Sequence, residues 1–247
     1  MSKGSVHIGT SGWHYKHWNG TFYPETVRAV DRFEYYTTMF QTVEINNSFY
    51  RLPNKNVFTG WRKAAPKGFT YAVKASRFIT HMKKLNVDPD SISNFFDNVA
   101  CLKEKLGPIL FQLPPNWKIN MGRLEQFLKN LPAGHIYTIE FRNTTWYTEE
   151  VYTILEKYNV AFCIYELDGH ISPVITTAGF VYARLHGPGA KYQGSYAKDV
   201  LNKWAKKIRS WTRKGKDVFF YFDNDQEGYA AINAKTLQEI VYNKKKF

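Results

Sequence analysis

The sequence predicts one α/β domain, residues 1–247, folded as an eight-stranded (β/α)8 TIM barrel. Its 247 residues match the length of about 250 that is typical of one such barrel. No glycine-rich nucleotide fingerprint favours an open doubly wound sheet instead. Eight segments have the near-continuous apolar character of strands that are covered on both faces: Val6–Ile8, Thr42–Ile45, Thr70–Lys74, Ile109–Leu113, Tyr137–Arg142, Val160–Tyr165, Phe180–His186 and Val218–Asp223.

Segments with helical spacing separate these strands. An apolar stripe runs from Ile92 to Leu102, and the preceding Asp88 and Pro89 are typical of a helix cap and a first-turn proline. Similar stripes begin at Leu124, Val151, Leu201 and Leu237. Residues 170–178, after the sixth strand, lack a helical pattern. We therefore expect an irregular or missing helix at that point of the barrel.

The charge balance favours an anionic partner. The chain carries 34 basic and 21 acidic residues, a net charge of +13, with one lysine cluster at Lys244–Lys246 near the C terminus. Solvated helix faces are the more common explanation for such charge.

No window approaches the roughly 20 apolar residues of a membrane span, and the first residues lead into a strand without a secretory signal. We expect a cytoplasmic protein with neither a membrane nor a protein partner.

Polar side chains recur at the carboxyl ends of the predicted strands, often spaced by two. Because strand side chains alternate between faces, both members of such a pair share one face. TIM-barrel sites are assembled at this end from several strands, so we expect one shared polar pocket. Internal ion pairs are the structural alternative. The pairs are Glu44 and Asn46, Lys74 and Ser76, Glu140 and Arg142, and Arg184 and His186.

Short motifs along almost the whole chain resemble the DUF72 (YecE-like) family. They are Gly9–Trp13, Thr42–Asn46, Ser48–Pro53, Lys74 with Phe78–His81, Gln112–Pro115, Glu140–Arg142 with Trp146, Arg184–Gly187, and Tyr221–Asp225 before Gly228. The resemblance implies a TIM-barrel fold and brings no established reaction. Asp223 stands where an asparagine is common in the family, and Pro188 stands where an arginine is frequent. If that arginine contacts an anion, this chain uses another donor.

Glu44, Glu140 and His186 are the candidate residues for proton transfer. Two carboxylates can divide acid and base roles when one is desolvated and a cation stabilises the other, and imidazole titrates near neutral pH. The structural alternatives to these roles are salt bridges for the two glutamates and a hydrogen-bonded structural histidine for His186.

Aromatic rings beside cations are suited to stacking and phosphate contact, although loop packing is their commoner role. The candidate substrate-binding residues are Trp13, Asn46, Tyr50, Lys74, Gln112, Arg142, Trp146, Arg184, Tyr192, Tyr221, Asn224 and Asp225.

No organic cofactor is predicted, and a divalent metal is an open alternative. Carboxylate and imidazole ligands suit divalent ions, but the sequence lacks a compact ligand motif. The residues that could form such a site are Glu44, Glu140, His186 and Asp225, and the loop histidines His14, His17 and His81 could add ligands.

These observations lead to the hypothesis of a hydrolase that acts on a phosphate-bearing substrate, a small molecule or nucleic acid, by carboxylate and histidine acid–base chemistry. The enzymatic alternative is a sugar or sugar-phosphate isomerase or lyase. The non-enzymatic alternative is a nucleic-acid-binding module, whose binding would fall steeply with salt and would not depend on Glu44 or Glu140.

Overall fold

The computed structural model describes residues 2–242, so the lysine cluster at residues 244–246 lies outside the described part. The strands are β1 Val6–Thr10, β2 Thr42–Ile45, β3 Thr70–Lys74, β4 Leu106–Leu113, β5 Tyr137–Phe141, β6 Ala161–Leu167, β7 His170–Ile171, β8 Phe180–Leu185 and β9 Asp217–Phe222. The helices are α1 Arg32–Met39, α2 Asn47–Tyr50, α3 Lys55–Ala64, α4 Pro89–Val99, α5 Met121–Lys129, α6 Glu149–Lys157, α7 Lys198–Arg213 and α8 Tyr229–Tyr242.

All eight predicted strands are present, and the added strand β7 explains the irregular segment after β6. β7 pairs antiparallel with the end of β6, with Leu167 opposite His170. Asp168 and Gly169 form the two-residue turn, and their φ angles are 56° and 73°. Two positive φ angles are what a tight hairpin of the right twist requires, and Asp-Gly is one of its preferred sequences. The segment therefore turns back as a hairpin where a helix is expected in a regular barrel.

Helix α4 begins as the sequence predicts. Asp88 Oδ1 accepts a hydrogen bond of 2.7 Å from the Ser91 backbone N–H, and Pro89 occupies the first turn. The sequence pattern does not indicate α3, because Phe58 is the one buried residue among its ten and no long apolar stripe results. Within residues 2–242, every helix is too short or too polar to span a membrane.

The chain divides into two compact units. The first unit contains the residues up to Glu44, Ile164–Val174 and the residues from Gly179 onward. In it, β9 pairs in parallel with both β1 and β8, and Ser11, just after β1, forms a parallel bridge with Glu44 of β2. Strands that are apolar and buried on both faces are typical of parallel sheets whose strands are connected through helices, as they are in this unit.

The second unit contains Ile45–Cys163 and Ile175–Ala178. Its parallel strands follow the order β3, β4, β5 and the start of β6. The parallel strands alternating with helices place the protein in the α/β TIM-barrel class. The assignment of residues 1–247 to one domain stays a prediction.

Candidate functional site

A buried ionic network lies in the first unit around Glu44. Arg184 donates to both carboxylate oxygens, with Nε 3.1 and 3.0 Å from Oε1 and Oε2 and Nη2 2.8 Å from Oε1. Ser11 Oγ and Tyr182 Oη each donate at 2.5 Å. Glu44 is fully buried and Arg184 is 1% exposed. A buried carboxylate is tolerated when a cation and several hydrogen bonds compensate it, so this network is closed by the protein itself.

His186 and Asp223 extend the network. Arg184 Nη1 lies 3.2 Å from His186 Nε2, and His186 Nδ1 lies 2.8 Å from Asp223 Oδ2. A guanidinium has only donors, so Nε2 must accept and the imidazole proton is assigned to Nδ1, facing Asp223. Both ring nitrogens of His186 therefore lie beside protein groups. Proton transfer by Glu44 or His186 requires this network to open.

Asp225, just after β9, borders the network. Trp18 Nε1 donates to Oδ1 at 2.7 Å, and His17 Nε2 lies 3.0 Å from Oδ2. Burial raises the pKa of Asp225 to about 6; the charge of Asp223 adds to the rise, while His17 and the indole hydrogen bond oppose it. The side chain is 19% exposed. A carboxyl group that titrates near neutral pH is suited to proton exchange.

The other predicted contacts of the first unit separate into buried and accessible residues. Tyr221 is fully buried, and its hydroxyl shares a hydrogen bond of 2.7 Å with Thr42. Asn224 is also buried and donates from its amide to backbone and side-chain oxygens. Trp13 is half-buried, and Tyr192 is 47% exposed with its ring edge-on to His186. Trp13 and Tyr192 therefore remain accessible, whereas Tyr221 and Asn224 hold the structure together.

The second unit gathers cations where β3 ends. The ammonium group of Lys74 lies 4.2 Å from the centre of the Phe49 ring, and the ring of His81 meets the same ring edge-on at 5.0 Å. Burial lowers the pKa of His81, and the positive charges of Lys74, Arg77 and Arg142 lower it further. His81 is therefore a neutral imidazole at neutral pH, surrounded by positive charge. We call Lys74, Arg77, Arg142 and His81 the cationic group.

Glu140 is the carboxylate that acts against this positive charge, and it raises the pKa of His81. It is fully buried on β5, pairs with Arg142 Nε, and accepts a weak hydrogen bond of 3.6 Å from Cys163 Sγ. Gln112 of β4 is its register partner and is half-buried. Glu140 is thus held in an ion pair, as Glu44 is in the first unit.

Three further predicted contacts of the second unit differ in accessibility. Trp146 is fully buried; it stacks on Phe141 and donates its indole N–H to the carbonyl of Trp117 at 2.8 Å. The structure gives Trp146 a packing role, because a buried ring has no surface to offer a ligand. Tyr50 is 74% exposed. Asn46 follows β2 directly and is half-buried.

The predicted metal ligands do not assemble within the described residues. Glu44, His186 and Asp225 belong to the first unit and Glu140 to the second. Residues 2–242 contain no cluster of three or more His, Cys, Asp or Glu side chains placed to hold a metal ion. Metal dependence stays a prediction, as does convergence of all the predicted residues in one pocket.

Sequence reasoning does not select Arg77, His81 or Asp223 for substrate binding or proton transfer, although it names His81 as a loop histidine that could add a metal ligand. A signal for the first two exists, because Lys74, Arg77 and His81 lie within eight consecutive residues that begin at the end of a strand. Asp223 is visible only as a departure from the family pattern. Its contacts with Arg184 and His186 depend on the pairing of β8 with β9.

The fold and these strand-end groups define an α/β TIM-barrel protein with ionic clusters at the carboxyl ends of its strands. A family model described as "Protein of unknown function DUF72" matches residues 7–247. The chain therefore belongs to the DUF72 family, which confirms the resemblance seen in its motifs.

Two relatives and one solved structure show how far the similarity extends. The chain is 25% identical over 271 residues to the UPF0759 protein YunF of Bacillus subtilis (strain 168), covering 96% of this chain and 94% of that protein. It is 26% identical over 146 residues to the UPF0759 protein YecE of Escherichia coli (strain K12), covering 58% and 51%. A crystal structure of a DUF72 family protein from Thermotoga maritima matches with a TM-score of 0.87 and 27% identity, covering 97% of this chain and 100% of that one.

Proposed function

We propose that this protein is a hydrolase that binds a phosphate-bearing substrate through Lys74, Arg77 and Arg142. The observation that carries the proposal is the charge surplus of the cationic group. Besides burial, three basic side chains lower the pKa of His81, and one carboxylate, Glu140, raises it. Arg77 is exposed and Lys74 is partly buried, whereas the Arg142 side chain is 7% exposed, so an anion from solvent can reach the group at Arg77 and Lys74 while its field is only partly screened.

Phosphate suits this group better than a lone carboxylate does. Arginine presents five N–H donors in a planar fork that matches phosphate oxygens, so Arg142 can hold Glu140 and contact an anion together. Lysine adds a compact charge, and Lys74 already lies against the Phe49 ring. A dianion would offset the positive surplus that now lowers the pKa of His81.

We assign proton transfer in this group to His81. Its lowered pKa keeps the imidazole neutral at neutral pH, and a neutral imidazole can accept a proton from a water whose oxygen attacks phosphorus as the ester P–O bond breaks. The departing alkoxide then takes up a proton and leaves as the alcohol. Its Nδ1 lies 2.9 Å from the hydroxyl of Thr80, which fixes the orientation of the ring. Glu44, Glu140 and His186 remain candidates for proton transfer, but each must first leave the contacts that now hold it.

Binding and turnover are tested on matched charge variants. Arg77→Gln and Lys83→Met each remove one exposed cation from the same segment; Arg77 lowers the pKa of His81, whereas the Lys83 ammonium lies over the Phe78 ring. Arg77→Gln should weaken binding of phenyl phosphate at least about tenfold, and Lys83→Met by less than about twofold. Equal losses in both variants would show nonspecific attraction and would refute the site.

Turnover is measured with a nitrophenyl phosphate monoester, a nitrophenyl phosphodiester and a short oligonucleotide. We expect one of them to be hydrolysed and His81→Asn to reduce the rate by about 100-fold, within the range for loss of a general base. Binding of these probes without turnover would favour the non-catalytic module over the hydrolase. Turnover that is unchanged in His81→Asn would refute the role of His81.

A further inference from the structure

A buried acceptor in the second unit lacks a hydrogen-bond partner. The side-chain oxygen of Asn46 is inaccessible to solvent, and no donor among residues 2–242 reaches it. Most buried polar atoms in proteins are paired, because an unmade hydrogen bond leaves the full cost of desolvation uncompensated. An exception beside a candidate binding site is a reason to look for a donor on the ligand.

Asn46 belongs to the same local cluster as the cationic group. Its carbonyl accepts a hydrogen bond of 3.1 Å from the N–H of Phe49, the residue whose ring contacts both Lys74 and His81. Ser48, in the same turn, donates to the carbonyl of Lys74 at 2.6 Å. The turn that begins at Asn46 therefore packs directly on the end of β3.

From this arrangement we infer that the half-buried Asn46 side chain turns on ligand binding, so that its Oδ1 accepts a hydrogen bond from a hydroxyl group of the substrate, close to the phosphate. This inference rests on the proposed phosphate site. Phosphate oxygens at neutral pH are mainly acceptors and cannot satisfy another acceptor. An ammonium group on the ligand would be repelled by Lys74, Arg77 and Arg142. A hydroxyl is the neutral donor that suits both neighbours.

The substrate class is then a phosphate ester of a polyol, a sugar or a ribonucleoside. Simple alkyl phosphates would satisfy the cations and leave Asn46 unpaired, so they should bind more weakly. Hydroxylated phosphates should bind about tenfold more tightly than simple alkyl phosphates, which corresponds to the free energy of one well-formed hydrogen bond to a buried group.

The test compares glycerol 1-phosphate with n-propyl phosphate by titration calorimetry. The two probes share the phosphate and the carbon chain and differ in hydroxyl groups. The wild type should bind glycerol phosphate about tenfold more tightly. In Asn46→Leu the preference should vanish while the affinity for propyl phosphate stays constant, and the exposed neighbour supplies a matched control, Asn47→Leu, which should keep the preference.

Each alternative result overturns a defined step. Equal affinities in the wild type, with both probes weakened by Arg77→Gln, would keep the phosphate site and refute the hydroxyl contact, and this comparison needs no variant of Asn46. If a folded Asn46→Leu protein lost affinity for both probes, the Asn46 side-chain N–H of the wild type would be a contact of the phosphate. This result would also refute the inference. Binding of neither probe would refute the phosphate site and the inference with it.

Discussion

The two units place ionic groups at the ends of their strands, and these two clusters have opposite charge balances. In the first unit, the cluster around Glu44 sets the carboxylates of Glu44, Asp223 and Asp225 against one arginine, Arg184, and His17. In the second, three cations face one carboxylate. Burial is the largest cause of both pKa shifts, and the neighbouring charges of like sign add to it: the pKa of Asp225 rises to about 6 and that of His81 falls.

The difference shows which unit has interactions to offer a ligand. The ionic groups around Glu44 in the first unit are already paired within the protein. Glu44, Arg184 and His186 are almost fully buried, and Arg184 contacts both of the others. The second unit keeps a cationic surplus, with Lys74 partly buried and Arg77 exposed. A preorganised but incompletely neutralised group is the better place for an anion to bind.

The largest effect that tests this comparison is the removal of Arg184. Arg184→Met should lower the free energy of unfolding by about 3 to 5 kcal/mol, because it leaves Glu44 buried without its cation. Urea denaturation measures the loss. Adding Glu44→Gln to the same protein should restore a large part of it, since residue 44 is then no longer a buried charge without its cation.

The matched variant in the second unit is Arg77→Gln, whose side chain is exposed. It should change the free energy of unfolding by less than about 0.5 kcal/mol. Similar losses in Arg184→Met and Arg77→Gln would contradict the contrast between a closed network and an open one.

A smaller effect tests the carboxylate surplus of the first unit through pH. The pKa of Asp225 is raised from 3.8 to about 6 in the folded protein, so the folded state binds more protons than the unfolded state between those values. Asp225 therefore reduces stability progressively as pH rises through this window, and the reduction is complete above it.

Asp225→Asn removes this dependence and can still accept the Trp18 hydrogen bond. Relative to the wild type, the free energy of unfolding of the variant should increase as pH rises from about 4 to 6. The expected increase is about 1 kcal/mol after allowance for solvent screening of a partly exposed group. Urea denaturation across this range measures the gain, with Asp199→Asn on the exposed face of α7 as control. A difference between variant and wild type that does not change with pH would refute the shifted carboxyl.

The smallest expected effect concerns His81 in the second unit. Lys74→Met removes one of the charges that lower its pKa, so the pKa should rise while remaining below the ordinary value of 6.5, because burial is the larger cause. An NMR titration of the imidazole ring measures the shift. Lys83→Met is the control. An equal rise in the pKa of His81 in both variants would show that Lys74 has no specific effect on this pKa.

Much of the fold can be predicted from the sequence because it depends on local pattern. Continuous apolar runs mark the strands, and Asp88 with Pro89 marks the start of α4. The missing helix after β6 is also visible, and the Asp168-Gly169 pair that forms the hairpin is a recognisable turn sequence. Helix α3 is harder to predict because it buries a single phenylalanine.

For the ionic clusters, the sequence alone determined contacts between neighbours along one strand. Glu140 and Arg142 lie two residues apart, so the alternation of side chains places them on one face, and they pair as that spacing suggests. Only the tertiary structure decided that Glu44 pairs with Arg184, 140 residues away, and that His81, Phe49 and Lys74 meet. The physical reason is that strand alternation fixes the direction of a side chain, whereas strand order, register and the packing of turns fix which distant group it meets.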